Sequence, residues 1–277
     1  MFRTTVPPIT SRVFTRRDTP PGWNGPASRF CGSEQGEQRG RVAPEVVDLR
    51  EDVALANRIL YDRGVVDGFG HVSVRDDRDP ERFLLARNVA PALVTADDVM
   101  SFALDGTALG GDERTPYLER FIHGSIYRAR PDVGAVVHSH SAAVIPFGVV
   151  TGVALRPLFH MSSFLRGPVP VWEIRDAAGP DNDMLVRDEM LGDALAASLG
   201  DAPTVLMRGH GSTTVGRSLP EAVFRAVYTE VNARLQAESM RIGEVTFLND
   251  KEALRSSASN AGQIARAWEL WSRAVTP

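Results

Sequence analysis

Lysine and cysteine are almost absent: Lys251 and Cys31 are the only residues of their kinds. A lone cysteine excludes an intrachain disulfide and any zinc or iron–sulfur site built on cysteine pairs, and leaves no partnered thiolate nucleophile. Lys251 stands in the polar stretch Asn249 to Glu252, so no buried lysine is on offer for Schiff-base or pyridoxal phosphate chemistry. No apolar run approaches the roughly 20 residues that span a bilayer. Basic runs are also missing and the net charge is −4, which argues against nucleic acid as a partner. A cytoplasmic protein with no membrane and no nucleic-acid partner is expected, because the N-terminal stretch has no apolar core of the kind a secretory signal needs.

What is present is a chain of 277 residues, 43% hydrophobic, enough for a substantial core. Residues 1–44 hold six prolines, five glycines and seven arginines without hydrophobic periodicity, and read as a mobile extension. Residues 45–277 read as one catalytic domain. Apolar spacing predicts a helix over Val46 to Asp62; strands follow at Gly68 to Arg75, Arg82 to Ala86 and about Met100 to Leu104. Thr115-Pro116 reads as a helix start and Arg130-Pro131 as its stop. A strand from Gly134, a further extended piece at Val149 to Leu155, a mixed segment from Leu158 to Trp172, a helix over Met184 to Leu199, strands at Thr204 to Met207 and Ser212 to Val215, and a capped helix from Ser218 to about Arg241 complete the order. That order predicts an α/β fold with a central, mostly antiparallel sheet flanked by helices. Gly68-Phe69-Gly70 lacks the third glycine and the helix of a dinucleotide site.

The stretch from Thr115 to Ser141 concentrates the chemistry. On a strand, His138 and His140 point the same way, while Glu119 comes from the preceding helix. Two imidazoles and a carboxylate suit a divalent transition metal. A third histidine, His210, sits between Gly209 and Gly211 at the tip of an apolar strand. His123, one helical turn from Glu119, is read as structural. His71 and Arg75 make one face of their strand polar, which suits either solvent or a site wall.

The order Glu-x3-His, His-x-His, Gly-His-Gly, met at Glu119, His138, His140 and His210, resembles the class II aldolase/adducin family across about residues 45–245. The resemblance implies a class II aldolase-like sandwich, metal ligation by His138, His140 and His210, and Glu119 as a fourth ligand or catalytic acid/base. It also implies a homotetramer with interfacial active sites. The small hydroxyl residues that hold phosphate in sugar-phosphate aldolases are replaced by Tyr117 and Leu118, and their glycine-containing loop by Leu85 to Val89. A phosphorylated sugar is therefore disfavoured. His71, Arg87, His160 and the apolar Phe159, Phe164 and Trp172 suit an aromatic acid instead.

Gly70 to Arg75 and Phe121 to Asp132 look like the branch that holds decarboxylases of hydroxylated aromatic acids. Within it, the chain resembles non-heme iron oxygenases of aminocoumarin antibiotic biosynthesis. That resemblance implies Fe(II), with Zn(II) as the alternative metal, and O2 as cosubstrate. The expected reaction is two oxidative decarboxylations of an aromatic 2-oxo acid, 4-hydroxy-3-prenylphenylpyruvate, through the mandelate to 4-hydroxy-3-prenylbenzoate. Phe159, Phe164 and Trp172 would wall the prenyl group, His160 would serve catalysis, and His71 and Arg87 would bind the polar end. The rivals are a metal-dependent non-oxidative decarboxylase and a non-catalytic adducin-like interaction module.

Overall fold

The computed structural model describes residues 48–276, so the expected extension over 1–44 and Cys31 lie outside the described residues. The chain opens with α1 (Leu49–Asp62), capped by the Asp48 side chain on the Arg50 amide. Strands β1 (His71–Arg75), β2 (Arg82–Ala86) and β3 (Val99–Ala103) follow, then α2 (Arg120–Ala129), β4 (Ala135–Ser139) and the short α3 (Ile145–Val149). After a 3-10 turn at His160–Leu165 come β5 (Val171–Trp172), α4 (Arg175–Ala178), α5 (Glu189–Leu199), β6 (Thr204–Met207) and β7 (Gly211–Gly216). Three helices close the chain: α6 (Leu219–Ile242), α7 (Asp250–Ala261) and α8 (Ile264–Val275).

The strands form one seven-stranded sheet in the order β3-β2-β1-β4-β7-β6-β5. Every pair is antiparallel except the parallel edge pair β5–β6. The expected fold class is what the chain adopts. β4 is central and buried along its whole length, as its run of Ala135, Val136 and Val137 requires. Its register places His138 opposite His71 on β1 and opposite Thr213 on β7, so the three side chains share a face.

Helices α2 and α5 pack against each other beside this face, so closely that a Cβ at Gly192 would meet the Phe121 carbonyl at 2.6 Å. Fully buried Ile122 and Ile126 anchor α2, each contributing about 1.5–3 kcal/mol of burial free energy. Helices α1 and α6 pack against the sheet, and α8 packs on both. Arg75, at the end of β1, donates to the Tyr127 and Arg130 carbonyls at 2.7 and 3.1 Å, so it stabilises the C-terminal end of α2.

Three expectations about elements fail for identifiable reasons. Thr115 does not cap a helix: its carbonyl accepts from the Asn88 amide at 2.8 Å and Pro116 bridges to Arg87, so pairing with the end of β2 overrides the local cap signal. Glu119 is consequently the residue before the first turn of α2. Val149 to Leu155 is not a strand. The coil that runs on from it is satisfied by side chains of α6: Gln236 pairs with the Arg156 amide and the Ala154 carbonyl, while Asn232 pairs with the Leu158 amide and the Arg156 carbonyl. Met184 to Arg187 precede α5 as a loop, because Asp188 supplies the cap by accepting from the Leu191 amide. Helices α7 and α8 have no counterpart in the sequence reading.

Candidate metal centre

Two chain features bring the three distant histidines together. The strand period carries His138 and His140 to one side, with their Nε2 atoms 3.1 Å apart. Gly209 adopts a φ of +67°, and a Cβ on Gly211 would lie 2.0 Å from the Ser139 carbonyl oxygen. Only glycines permit this tight turn against β4. It delivers His210 Nε2 to 3.0 Å from His140 Nε2. Glu119 completes the cluster, with Oε2 at 3.5 Å from Nε2 of both His138 and His210. One ligand atom from each of Glu119, His138, His140 and His210 lies within 4.8 Å of the others.

Two of the remaining polar atoms of these side chains are tied down. His210 Nδ1 donates to the Met184 carbonyl at 2.8 Å, which leaves its Nε2 lone pair facing the cluster. Glu119 Oε1 accepts from the Val186 amide at 2.9 Å, freeing Oε2. The loop before α5 thus orients two of the four groups. Its conformation is built for this: Met184 has a φ of +70°, and the Asn182 side chain accepts from its amide at 3.0 Å. Sequence pattern puts these residues in a helix and gives no sign of this role; the Asn182-Asp183 pair ahead of Met184 is the available turn signal.

The electrostatics are those of a cation site. Burial disfavours charge on Glu119, yet hydrogen bonds from His138 and His210 outweigh it and hold the carboxyl well below the usual range. Burial pushes His138 down, and His140 down to about 4, so both rings are neutral donors at physiological pH. Burial also opposes a charge on His210, but the carboxylate of Glu119 overcomes it and raises this ring. With metal–nitrogen bonds of about 2.0–2.1 Å, tetrahedral ligand atoms stand about 3.3 Å apart. Four of the six separations, 3.0, 3.1 and twice 3.5 Å, bracket that value, and all the ligand atoms lie within 4.8 Å of one another. The donor set therefore fits a divalent transition ion.

The other sequence candidates divide. His71 is buried at 4% exposure, its ring 5.0 Å from that of His138 and 4.6 Å from Tyr117. Arg87 lies where β2 bridges to Pro116, paired with Asp98 at 2.7 Å. The aromatic candidates do not join them within the chain. Phe159 packs on Tyr228, and exposed His160 gives its carbonyl to Asn260. Phe164 packs on Phe224 and lines a cavity with Arg225, Leu254 and Ile264 that includes none of the four ligand candidates. Trp172 is buried on the edge strand β5. Phe69 was not singled out in the sequence, yet its ring stacks 6.3 Å from His140 while 69% exposed. His123 is fully buried and bonds His71 rather than a cluster atom.

Residues 51–237 match the family described as Class II Aldolase and Adducin N-terminal domain. Decarboxylase tropJ of Talaromyces stipitatus is 37% identical over 240 residues, spanning 78% of this chain and 90% of that protein. The 3,4-dihydroxyphthalate decarboxylase of Arthrobacter keyseri is 33% identical over 209 residues, spanning 70% of this chain and 79% of its own. Among solved structures, an aldolase II superfamily protein from Pseudomonas syringae superposes with a TM-score of 0.69 at 24% identity, covering 87% of this chain and 96% of that one. These findings overturn the expected iron(II) oxygenase: four relatives that align along most of both chains are decarboxylases, and neither Fe(II) nor O2 finds support among them. Among the described residues no helix is long and apolar enough to cross a membrane.

Proposed function

Because the chain belongs to the class II aldolase and adducin family, is an enzyme of that fold and is similar to decarboxylases over most of its length, we propose that it is a metal-dependent, non-oxidative decarboxylase of hydroxylated aromatic acids. The observation that carries the reading is the intact set of Glu119, His138, His140 and His210 converging on one point. An adducin-like module with no catalytic role would have no use for four such groups held in register.

His138, His140, His210 and Glu119 would hold the ion, with Zn(II) the ion best suited to three imidazoles and one carboxylate. When bound, it supplies Lewis-acid stabilisation of the negative charge left on the substrate as carbon dioxide departs. Glu119 stays ionised because its neighbours hold it so, which makes it a ligand or a base rather than a proton donor. The Met184 carbonyl and Val186 amide keep His210 and Glu119 from rotating away when substrate enters. Phe69 offers an exposed ring beside His140 on which a substrate ring can stack. Arg87 can swing from Asp98 to a second acidic group, since its side chain is 40% exposed. Phe164 and Trp172 are buried and Phe159 packs on Tyr228, so in this reading they are packing residues, and exposed His160 is left to serve a neighbouring subunit's site in the homotetramer; mass photometry of the purified chain tests that assembly. Residues 1–44 remain an extension to the catalytic domain of 45–277 in this reading.

The deciding experiment is anaerobic incubation of the zinc-loaded protein with 3,4-dihydroxyphthalate and the dihydroxybenzoates, with carbon dioxide and the decarboxylated phenol measured together. Equimolar release without oxygen supports the reading. Turnover that needs oxygen, or none with any hydroxylated aromatic acid, sinks it.

A further inference from the structure

Behind the cluster runs a line of buried polar groups to which the reaction assigns no role. His71 Nδ1 lies 2.6 Å from His123 Nε2, His123 Nδ1 lies 2.6 Å from Ser73 Oγ, and Ser73 Oγ lies 2.7 Å from the Tyr127 hydroxyl. The four residues are 4%, 0%, 0% and 1% exposed in that order. Among the described residues, Nε2 of His71 has no hydrogen-bond partner; it is the ring nitrogen turned away from His123, on the residue that β-sheet register sets directly opposite His138.

The direction of this chain of hydrogen bonds is fixed at its far end. If His71 donated from Nδ1, each group in turn would donate inward and the Tyr127 hydroxyl hydrogen would be left without an acceptor in the fully buried interior, at the full desolvation cost of a polar donor. In the opposite sense Tyr127 donates to Ser73, Ser73 to His123 Nδ1, and His123 Nε2–H to His71 Nδ1. Every hydrogen inside the line then has an acceptor, and the one left over is the His71 Nε2–H, at the end of the line beside His138. Burial also raises the Tyr127 hydroxyl above its ordinary range, so it keeps its proton and cannot pass it down the line. The line orients; it does not transmit.

We propose that His123, Ser73 and Tyr127 are positioning residues that hold His71 as its Nε2–H tautomer, so that His71 donates a hydrogen bond to an anionic oxygen of the substrate. The proposal rests on the decarboxylase reading only for the class of that substrate. The ring of His71 packs against those of Tyr117, His123 and His138, with centroids 4.6, 4.8 and 5.0 Å away, which restricts its rotation. A donor of set orientation is worth more to a desolvated carboxylate or phenolate oxygen than a ring free to present a lone pair.

The test uses full-length, zinc-loaded protein labelled with 15N-histidine, with the His71 tautomer read from long-range 1H–15N correlations and salicylate affinity from calorimetry. Wild type is expected to show the Nε2–H form. Ser73→Ala should mix the tautomers and weaken salicylate about tenfold or more, with zinc content unchanged. Tyr127→Phe, which keeps the ring in the core, should move both readouts in the same direction and stands in should Ser73→Ala not fold. His71→Gln, whose amide can donate from a similar place, should stay within about threefold of wild type, whereas His71→Leu should fall with Ser73→Ala. An Nδ1–H form in wild type overturns the proposal, as does undiminished salicylate binding by His71→Leu or Ser73→Ala. If instead these results hold while no hydroxylated aromatic acid releases carbon dioxide, the decarboxylase reading falls and the hydrogen-bond donor stands.

Discussion

Replacing Glu119 with glutamine separates the charge of the cluster from its shape. The amide oxygen can still accept from the Val186 amide, and the NH2 group would face the histidine nitrogens that Oε2 now meets at 3.5 Å. At that distance one full charge pair is worth about 5 kcal/mol at an effective dielectric of about 20, before the cost of stripping water is counted. Most of it is offset by desolvation, and we expect a net loss of about 2.7 kcal/mol or more in binding a divalent ion, a factor of about 100. Competition calorimetry with zinc and a chelator of known affinity measures it directly. The same variant should lower the pKa of His210 in the metal-free protein, since Glu119 is what raises that ring against its burial. Stability without metal should also fall, by about 1 kcal/mol or more, because the Val186 contact is kept while the bonds that the carboxylate accepts from His138 and His210 are lost. Wild-type zinc affinity in Glu119→Gln, or an unmoved His210, would refute the placement of this carboxylate in the cluster.

His210→Ala should abolish stoichiometric zinc, measured by elemental analysis; full retention would remove this residue from the ligand set. A methyl group at Gly211 must displace the Ser139 carbonyl, so Gly211→Ala should cost about 2 kcal/mol or more in thermal unfolding and lower zinc affinity with it. Phe69→Ala should leave the melting temperature unchanged, its ring being mostly exposed, but raise KM for an aromatic acid with little change in kcat. Burial drives His71 well below its normal range and His123 to about 3, so between these values and 6.5 the unfolded chain binds more protons than the folded one. The metal-free protein should therefore hold its stability above pH 6.5 and lose it as pH falls, by about 2 kcal/mol for His123 between pH 6.5 and 5, with His71 acting in the same direction. The rise in His210 acts in the opposite sense. A flat unfolding midpoint from pH 7.5 to 4.5 would contradict the buried, neutral assignment.

Residue pattern alone is enough for the antiparallel sheet and for the convergence of candidate ligands. Alternation along Val136 to His140 places His138 and His140 on one side whatever the rest of the chain does, and glycines beside His210 declare a turn that a side chain would block. The family resemblance was equally legible, since it rests on residue order, but the finer oxygenase resemblance led the reading to the wrong reaction. Contacts between segments far apart in the chain emerge only on folding. Glu119 reaches the histidines from the residue before a helix, not from within it, because Thr115 and Pro116 pair with the end of β2. The loop at Met184 to Val186 orients His210 and Glu119 through backbone atoms, which every residue possesses and which therefore leave no mark in side-chain pattern. Phe159 and Phe164 look like a pocket wall in sequence because aromatic residues suit cores and pockets alike; packing against Tyr228 and Phe224 is a choice made by helix placement. The line from His71 to Tyr127 joins β1 to α2 across about 50 positions, a separation that local periodicity cannot span and only the closed sheet brings to hydrogen-bond distance.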